Sequence, residues 1–119
     1  LVGSEMCIRD SFRSGFSELR TDFLPTLAQV AQTLDGSDAS ITVSGHTDNI
    51  PIAFSERFES NWDLSAARAS AVADYFMDAG RVTEERISVL GFADTKPIAS
   101  NDNPTGRAQN RRIEILVDN

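Results

Sequence analysis

Ser40-Ile41-Thr42-Val43-Ser44-Gly45-His46-Thr47-Asp48-Asn49, followed by Asn61-Trp62-Asp63-Leu64-Ser65-Ala66-Ala67-Arg68, decides how this chain is read. The first run alternates apolar and polar residues with period two, so it reads as a strand over 40–44 with Ile41 and Val43 inward. It leaves through Gly45-His46-Thr47-Asp48-Asn49, a polar strand end that carries a carboxylate. The second run opens a helix. Asn61 or Ser60 can cap it, and Ser60-x-x-Asp63 fits a capping box. Its apolar positions are Leu64, Ala67, Ala71, Val72, Tyr75 and Ala79. At helical pitch Arg68 projects about 40° from Leu64, inside that stripe. An arginine there needs an anionic partner or a ligand, because a buried unpaired charge costs several kcal/mol. The bland alternative is an arginine that snorkels to the rim, or a purely structural pair with Asp48.

Upstream, Leu19, Phe23, Leu27, Val30, Ala31 and Leu34 recur at helical spacing. Thr21 or Asp22 can cap this helix, which places Pro25 in its first turn, and Asp35-Gly36-Ser37-Asp38 ends it. Downstream, Ile50 to Ser60 is a loop containing Pro51; long loops at strand ends are often functional. Gly80 stops the second helix, and Thr83 to Arg86 is a short turn. Ile87 to Phe92 reads as a strand, with Gly91 allowing close backbone approach. Asp94 to Gly106 reads as a second long loop. Arg107 to Arg111 forms a short helix, and Arg112 to Val117 a last strand with Ile113, Ile115 and Val117 on one face. This alternation predicts an α/β (α+β) two-layer sandwich with helices packed on one face of a mixed sheet. Helical connections are expected to join neighbouring strands, so part of the sheet is parallel.

The 119 residues make one domain with a modest core. Eighteen acidic against eleven basic residues give a net charge of −7. That excludes the basic footprint of a nucleic-acid binder and adhesion to anionic lipid. A ligand with an ammonium group is not repelled. Residues 1–11 stand apart: Leu1 to Asp10 resembles a translated transposase-type sequencing adapter, whose trailing bases begin the Ser11 codon. On that reading residues 1–11 are a non-native extension outside the fold, residues 12–119 are the domain, and its first strand is truncated. A natural loop is the alternative. Cys7, the only cysteine, goes with the extension, so the domain has no thiol for a disulfide or metal.

Nothing marks catalysis. His46 is the only histidine, and His46-x-Asp48 lacks the further ligands a metal needs. It reads better as a hydrogen-bonding residue at the strand end. There is no phosphate-cradling glycine loop and no nucleophile–base set. The reading is a binding module, not an enzyme, with no cofactor. Asp48 supplies an acceptor for an ammonium and Arg68 a bidentate fork for a carboxylate. Thr47 and Asn61 add a hydroxyl and an amide. Together they suit an amino acid with both groups free, inserted between a paired Asp48 and Arg68. Arg111 and Arg112 are either a second cationic contact or a solvated strand start. Trp62 reads as packing over the helix start in preference to a sugar-stacking platform.

Gly45-His46-Thr47-Asp48-Asn49, Asn61-x-x-Leu64-Ser65-x-x-Arg68-Ala69, Gly91-Phe92, Pro97-Ile98-Ala99-Ser100-Asn101 and Gly106-Arg107-x-x-Asn110-Arg111-Arg112-Ile113-Glu114 occur in order. In this the chain resembles the OmpA-like peptidoglycan-binding domain over nearly all of 12–119. Asn49-Ile50-Pro51-Ile52 and Phe58 to Ser65 are similar to the MotB-type flagellar stator subgroup. The resemblance implies a β-α-β-α-β-(α)-β sandwich that binds the peptidoglycan peptide stem through meso-diaminopimelate. Asp48 would contact the ammonium and Arg68 the carboxylate. Thr47, Asn49, Asn61, Leu64, Arg111 and Arg112 complete the candidate set, with Asn110 nearby. The implied setting is the periplasm, in a protein anchored to the inner membrane if MotB-like, or to the outer membrane if OmpA- or Pal-like, by a segment upstream. A homodimer and a MotA-type channel partner are expected for the full-length stator. The alternative is an interaction or dimerisation domain of the same fold that binds no glycan.

Overall fold

The computed structural model describes residues 4–9, 24–34, 38–50, 60–78 and 82–118. In chain order these form β1 (Ser4–Arg9), α1 (Leu24–Leu34), β2 (Ser40–Gly45), α2 (Asn61–Asp78), a 3₁₀ turn (Glu84–Arg86), β3 (Ile87–Gly91), α3 (Pro104–Asn110) and β4 (Arg112–Asp118). The strands make one mixed sheet in the order β1-β4-β2-β3. β2 and β3 run parallel through the α2 crossover, while β4 is antiparallel to both β1 and β2. The expectation that helical connections join neighbours therefore holds only for α2. β4 lies between β1 and β2, and β2 lies between β3 and β4. The last strand is inserted at the centre because it is apolar on its inward face, and a central strand is covered on both edges.

Period-two alternation places Ile41 and Val43 of β2, and Ile113, Ile115 and Val117 of β4, on one buried face. Against them pack Leu27, Val30, Ala31 and Leu34 of α1, as the helical spacing predicts. Pro25 sits in the first turn of α1, where its missing N–H is no loss. Leu19, Phe23, the proposed caps Thr21 and Asp22, and the stop at 35–37 lie outside the described residues, as do 51–59 and Gly80.

Two elements differ from the sequence reading. α2 buries Leu64, Ser65, Arg68, Ala69, Val72, Ala73 and Phe76, while Ala67, Ala71 and Tyr75 sit at its partly exposed flank. The stripe is rotated so that the small Ser65, Ala69 and Ala73 lie with Leu64, Arg68, Val72 and Phe76 on the buried face. Gly45 and Gly91 are opposite each other on β2 and β3. A Cβ on Gly45 would overlap the Ser65 carbonyl oxygen, and one on Gly91 would sit 2.8 Å from the Ala66 nitrogen and Ser65 Oγ. The two glycines let the first turns of α2 rest directly on the sheet. α3 begins at Pro104, three residues before the expected Arg107. Asn103 caps it, its Oδ1 accepting from Gly106 N at 2.7 Å, and Pro104 occupies the first turn. The Asn-Pro pair read as loop is thus a helix start.

Ser4–Arg9 form β1, paired with β4 from Ser4 opposite Val117 to Arg9 opposite Arg112. Part of the segment read as a non-native extension thus pairs with the sheet, which leaves its origin as the expectation stated above. The outer edge of β4 presents a row of unpaired N–H and C=O groups, and an extended segment of whatever origin satisfies them.

Candidate functional site

The site lies at the sheet edge where β2 and β3 end and β4 begins. Backbone hydrogen bonds carry the pairing past the strands: Phe92 N donates to Gly45 O at 3.0 Å, His46 N to Arg112 O at 3.0 Å, and Thr47 N to Ala93 O at 2.9 Å. The segment 46–48 is therefore clamped on both sides, and His46, Thr47 and Asp48 are all buried.

Asp48 is the centre. Its Oδ2 accepts from Arg111 Nη1 at 2.9 Å, and its Oδ1 accepts from Ile50 N at 3.1 Å. The ion pair is shielded, with the Asp48 and Arg111 side chains 5% and 17% exposed, so its charges attract more strongly than at an open surface. Arg111 thus faces Asp48 and is largely enclosed, unlike a solvated strand start. The expected Asp48–Arg68 pairing is replaced: Arg68 is fully buried, as its helical phase required, and directs Nη1 to the His46 carbonyl at 3.5 Å. The close seat of α2 on Gly45 brings it there.

Asn61 joins the helix to the strand end. Its Nδ2 donates to Asp48 O at 3.4 Å and Ile50 O at 3.2 Å, which fixes the amide orientation. Its Oδ1 is buried and accepts no hydrogen bond. Ser60 caps α2, its Oγ accepting from Asp63 N at 3.5 Å.

The remaining candidates divide. The Thr47 hydroxyl donates to the Asp48 carbonyl at 2.8 Å and so braces the loop. Asn49 is exposed beside the site. Leu64 is enclosed and offers no open surface. Arg112 is buried, with Nε on Glu114 Oε1 at 2.8 Å, Nη2 on Lys96 O at 2.8 Å and Nη1 on Asn110 O at 3.4 Å. Its guanidinium ties β4 to the loop after β3, whereas Arg111, one residue earlier, faces Asp48.

His46 stacks on Phe92, ring centroids 5.2 Å apart. Neither ring nitrogen makes a well-formed hydrogen bond, although Nε2 comes within 3.4 Å of Glu114 Oε2. Burial, reinforced by the Arg112 charge, lowers its pKa from 6.5 to about 4, against the opposing pull of Glu114. The ring is neutral at physiological pH. Among the described residues no cluster of metal-ligating side chains occurs.

Two structural supports were not marked by the sequence pattern. Ser65 Oγ accepts from Ala93 N at 3.0 Å and donates to Trp62 O at 3.0 Å, which holds Ala93 at φ 53°. Asn110 is fully buried: its Oδ1 accepts from Ile98 N and Ala99 N, and its Nδ2 donates to Ala99 O and Asn101 Oδ1. The Asn103-Pro104 cap was the one readable signal of that arrangement. Trp62 does not pack over the helix start as expected; it is 54% exposed. The reason is its place on α2, outside the stripe that Ser65 and Ala69 press onto the sheet.

The OmpA family model matches residues 11–111. The chain belongs to the OmpA family. It is 36% identical over 118 residues to Motility protein B of Bacillus subtilis, across 97% of this chain and 45% of that protein. It is 47% identical over 81 residues to the peptidoglycan-binding protein ArfA of Mycobacterium tuberculosis, across 68% of this chain and 23% of that protein. The chain thus spans less than half the length of these curated relatives. Among solved structures it superposes on the cell wall anchor of the T6SS from Pseudomonas aeruginosa with a TM-score of 0.85 at 40% identity, covering 96% of this chain and 80% of that one. It also superposes on the periplasmic domain of Helicobacter pylori MotB with a TM-score of 0.87 at 27% identity, covering 98% and 76%. The OmpA-like, MotB-type domain and its α+β fold are those expected from the motifs.

Proposed function

We propose that this OmpA family domain binds peptidoglycan without catalysis and anchors a periplasmic, envelope-associated protein to the cell wall. The finer reading is that it holds the peptide stem through meso-diaminopimelate, whose distal centre carries both an ammonium and a carboxylate. The observation that carries this is the convergence of Asp48, Arg111, Arg68 and the unfilled Asn61 Oδ1 on one clamped strand end. Asp48 and Asn61 Oδ1 offer acceptors to an ammonium; the positive charge of Arg111 and of the buried Arg68 favours a carboxylate nearby. The relatives named for peptidoglycan binding and cell wall anchoring support the same reading. The likeness to Motility protein B favours a stator-type parent protein, in which a MotA-type channel would be the motor partner.

The test is co-sedimentation with purified sacculi. Asp48→Asn keeps the shape and removes the charge, so binding should fall by roughly 2–5 kcal/mol, at least about thirtyfold. Free meso-diaminopimelate should compete, and lysine, which lacks the second carboxylate, should compete far less. A folded Asp48→Asn protein that pellets like the parent defeats the site assignment. Equal competition by lysine defeats the diaminopimelate reading alone.

A further inference from the structure

β2 and β3 keep parallel register up to Gly45 opposite Gly91, and Phe92 N donates to Gly45 O at 3.0 Å. Continued regularly, this ladder would give Thr47 N the carbonyl of Phe92. The observed acceptor is one residue further on: Thr47 N donates to Ala93 O at 2.9 Å. The Phe92 carbonyl is turned away and accepts from Thr95 N at 3.1 Å and from Thr95 Oγ1 at 2.7 Å. The shift goes with the backbone of Ala93, whose φ of 53° is the only positive one at a non-glycine among the described residues. An alanine enters this left-handed region at a cost, so its surroundings must hold it there. Ser65 does so. It is fully buried, and its hydroxyl donates to Trp62 O at 3.0 Å, which leaves a lone pair for Ala93 N at 3.0 Å. Gly91 keeps the space open, since a Cβ there would lie 2.8 Å from Ser65 Oγ.

From these contacts we propose that Ser65 is a positioning residue for the Asp48 site: its hydroxyl keeps Ala93 left-handed, and Ala93 in that conformation holds Thr47 and the carboxylate that follows it. The inference rests on the peptidoglycan reading of that site and adds what keeps the site in shape. Ser65 touches neither Asp48 nor a ligand group; it acts through two backbone hydrogen bonds in series. Beyond them the Thr47 hydroxyl donates to the Asp48 carbonyl at 2.8 Å, to which Asn61 Nδ2 also donates at 3.4 Å. Without the Ser65 acceptor, Ala93 gains by leaving the left-handed region. Its carbonyl then turns from Thr47 N, and one side of the clamp on 46–48 opens.

Amide hydrogen exchange by NMR and co-sedimentation isotherms on purified sacculi, both on the full chain, test this. In the parent, the Ala93 and Thr47 amides should be protected like those of Val43 and Ile115 in the central strands. Ser65→Ala should speed exchange at Ala93 and Thr47 by about tenfold more than at Val43 and Ile115, whereas a merely structural loss would move all four together. Sacculus binding should weaken by about 3- to 10-fold, the scale of one hydrogen bond. Ala93→Gly supplies the rescue, because glycine enters the left-handed region freely. Alone it should leave binding as in the parent; combined with Ser65→Ala it should recover most of the lost affinity. Uniform loss of protection, parent-like binding by a folded Ser65→Ala chain, or no recovery with Ala93→Gly overturns the role of Ser65. Should Ser65→Ala not fold, fast exchange at Ala93 and Thr47 in the parent overturns it unaided, and protection there sustains it. A parent that does not pellet with sacculi overturns the peptidoglycan reading, and the exchange result still decides whether Ser65 holds Thr47.

Discussion

Asn110→Ala should be the most damaging single truncation near the site that touches no ligand-facing charge. The side chain is fully buried and makes four hydrogen bonds: from Ile98 N at 2.8 Å, from Ala99 N at 3.0 Å, to Ala99 O at 3.0 Å and to Asn101 Oδ1 at 2.8 Å. Truncation strands two backbone N–H groups and one carbonyl in a part-buried setting. Each stranded group costs about 1–3 kcal/mol, and partial relaxation keeps the total near 3–5 kcal/mol. Against the roughly 5–15 kcal/mol that holds such a domain folded, this is a large fraction. The melting temperature should drop by about 10–20 °C. Urea unfolding followed by far-ultraviolet circular dichroism gives the free energy directly. Asn110→Asp isolates the hydrogen bonds from the cavity. It keeps the acceptor for Ile98 and Ala99 but turns an oxygen toward Ala99 O and Asn101 Oδ1, so it should be at least as harmful as alanine. A loss below about 1 kcal/mol for Asn110→Ala, or a milder Asn110→Asp, would refute the view that this amide staples the loop 97–101 to α3.

His46 gives a pH prediction. The folded ring stays neutral down to about pH 4 while the unfolded chain protonates near 6.5, so its share of stability is complete above pH 6.5 and is lost as the pH falls toward 4. Relative to His46→Phe, which keeps the stack on Phe92 but cannot titrate, the parent should lose up to about 3 kcal/mol between pH 7 and pH 4 in paired urea titrations; a constant difference would show that the ring titrates alike in both states. Gly45→Ala places a methyl against the Ser65 carbonyl oxygen, which is backbone and cannot rotate away, so α2 must lift from the sheet. The expected loss is about 1–3 kcal/mol, with weaker sacculus binding as Arg68 moves from His46, and a parent-like unfolding midpoint would count against the close seat.

What was legible in the sequence followed from strong periodicity. Ile41 and Val43, Ile113 to Val117, and the α1 positions from Leu27 to Leu34 all show the burial that their spacing predicts. Arg68 was legible for the same reason: a charge in an apolar stripe is a physical contradiction that the fold has to resolve. The α2 face differs from the pattern because alanines occur on every side of this helix (Ala66, Ala67, Ala69, Ala71, Ala73) and leave its rotation open, whereas the close contact at Gly45 and Gly91 fixes it. Arg111 and Arg112 could not be told apart in sequence. They are adjacent at the start of a strand, and strand geometry points one toward Asp48 and the other toward Glu114. Asn110 was illegible as a structural residue, since its four partners come from a loop whose path no local pattern specifies.

The arrangement around Asp48 also bears on how a ligand would be accommodated. If Asp48 and Arg68 formed the resting pair, a zwitterion would have to break it, replacing one buried interaction with two others. The structure instead gives Asp48 its ion pair with Arg111 and its brace from Ile50 N. One carboxylate has about four acceptor positions, so two contacts leave capacity for an ammonium without displacing either. Asp48 is already buried and held before a ligand arrives, so little side-chain freedom is lost on binding. Binding by addition is then favoured over binding by exchange. Arg111 then holds the Asp48 carboxylate in position, and the unfilled Asn61 Oδ1, on the amide whose Nδ2 donates to Asp48 O, is the second acceptor such an ammonium would find.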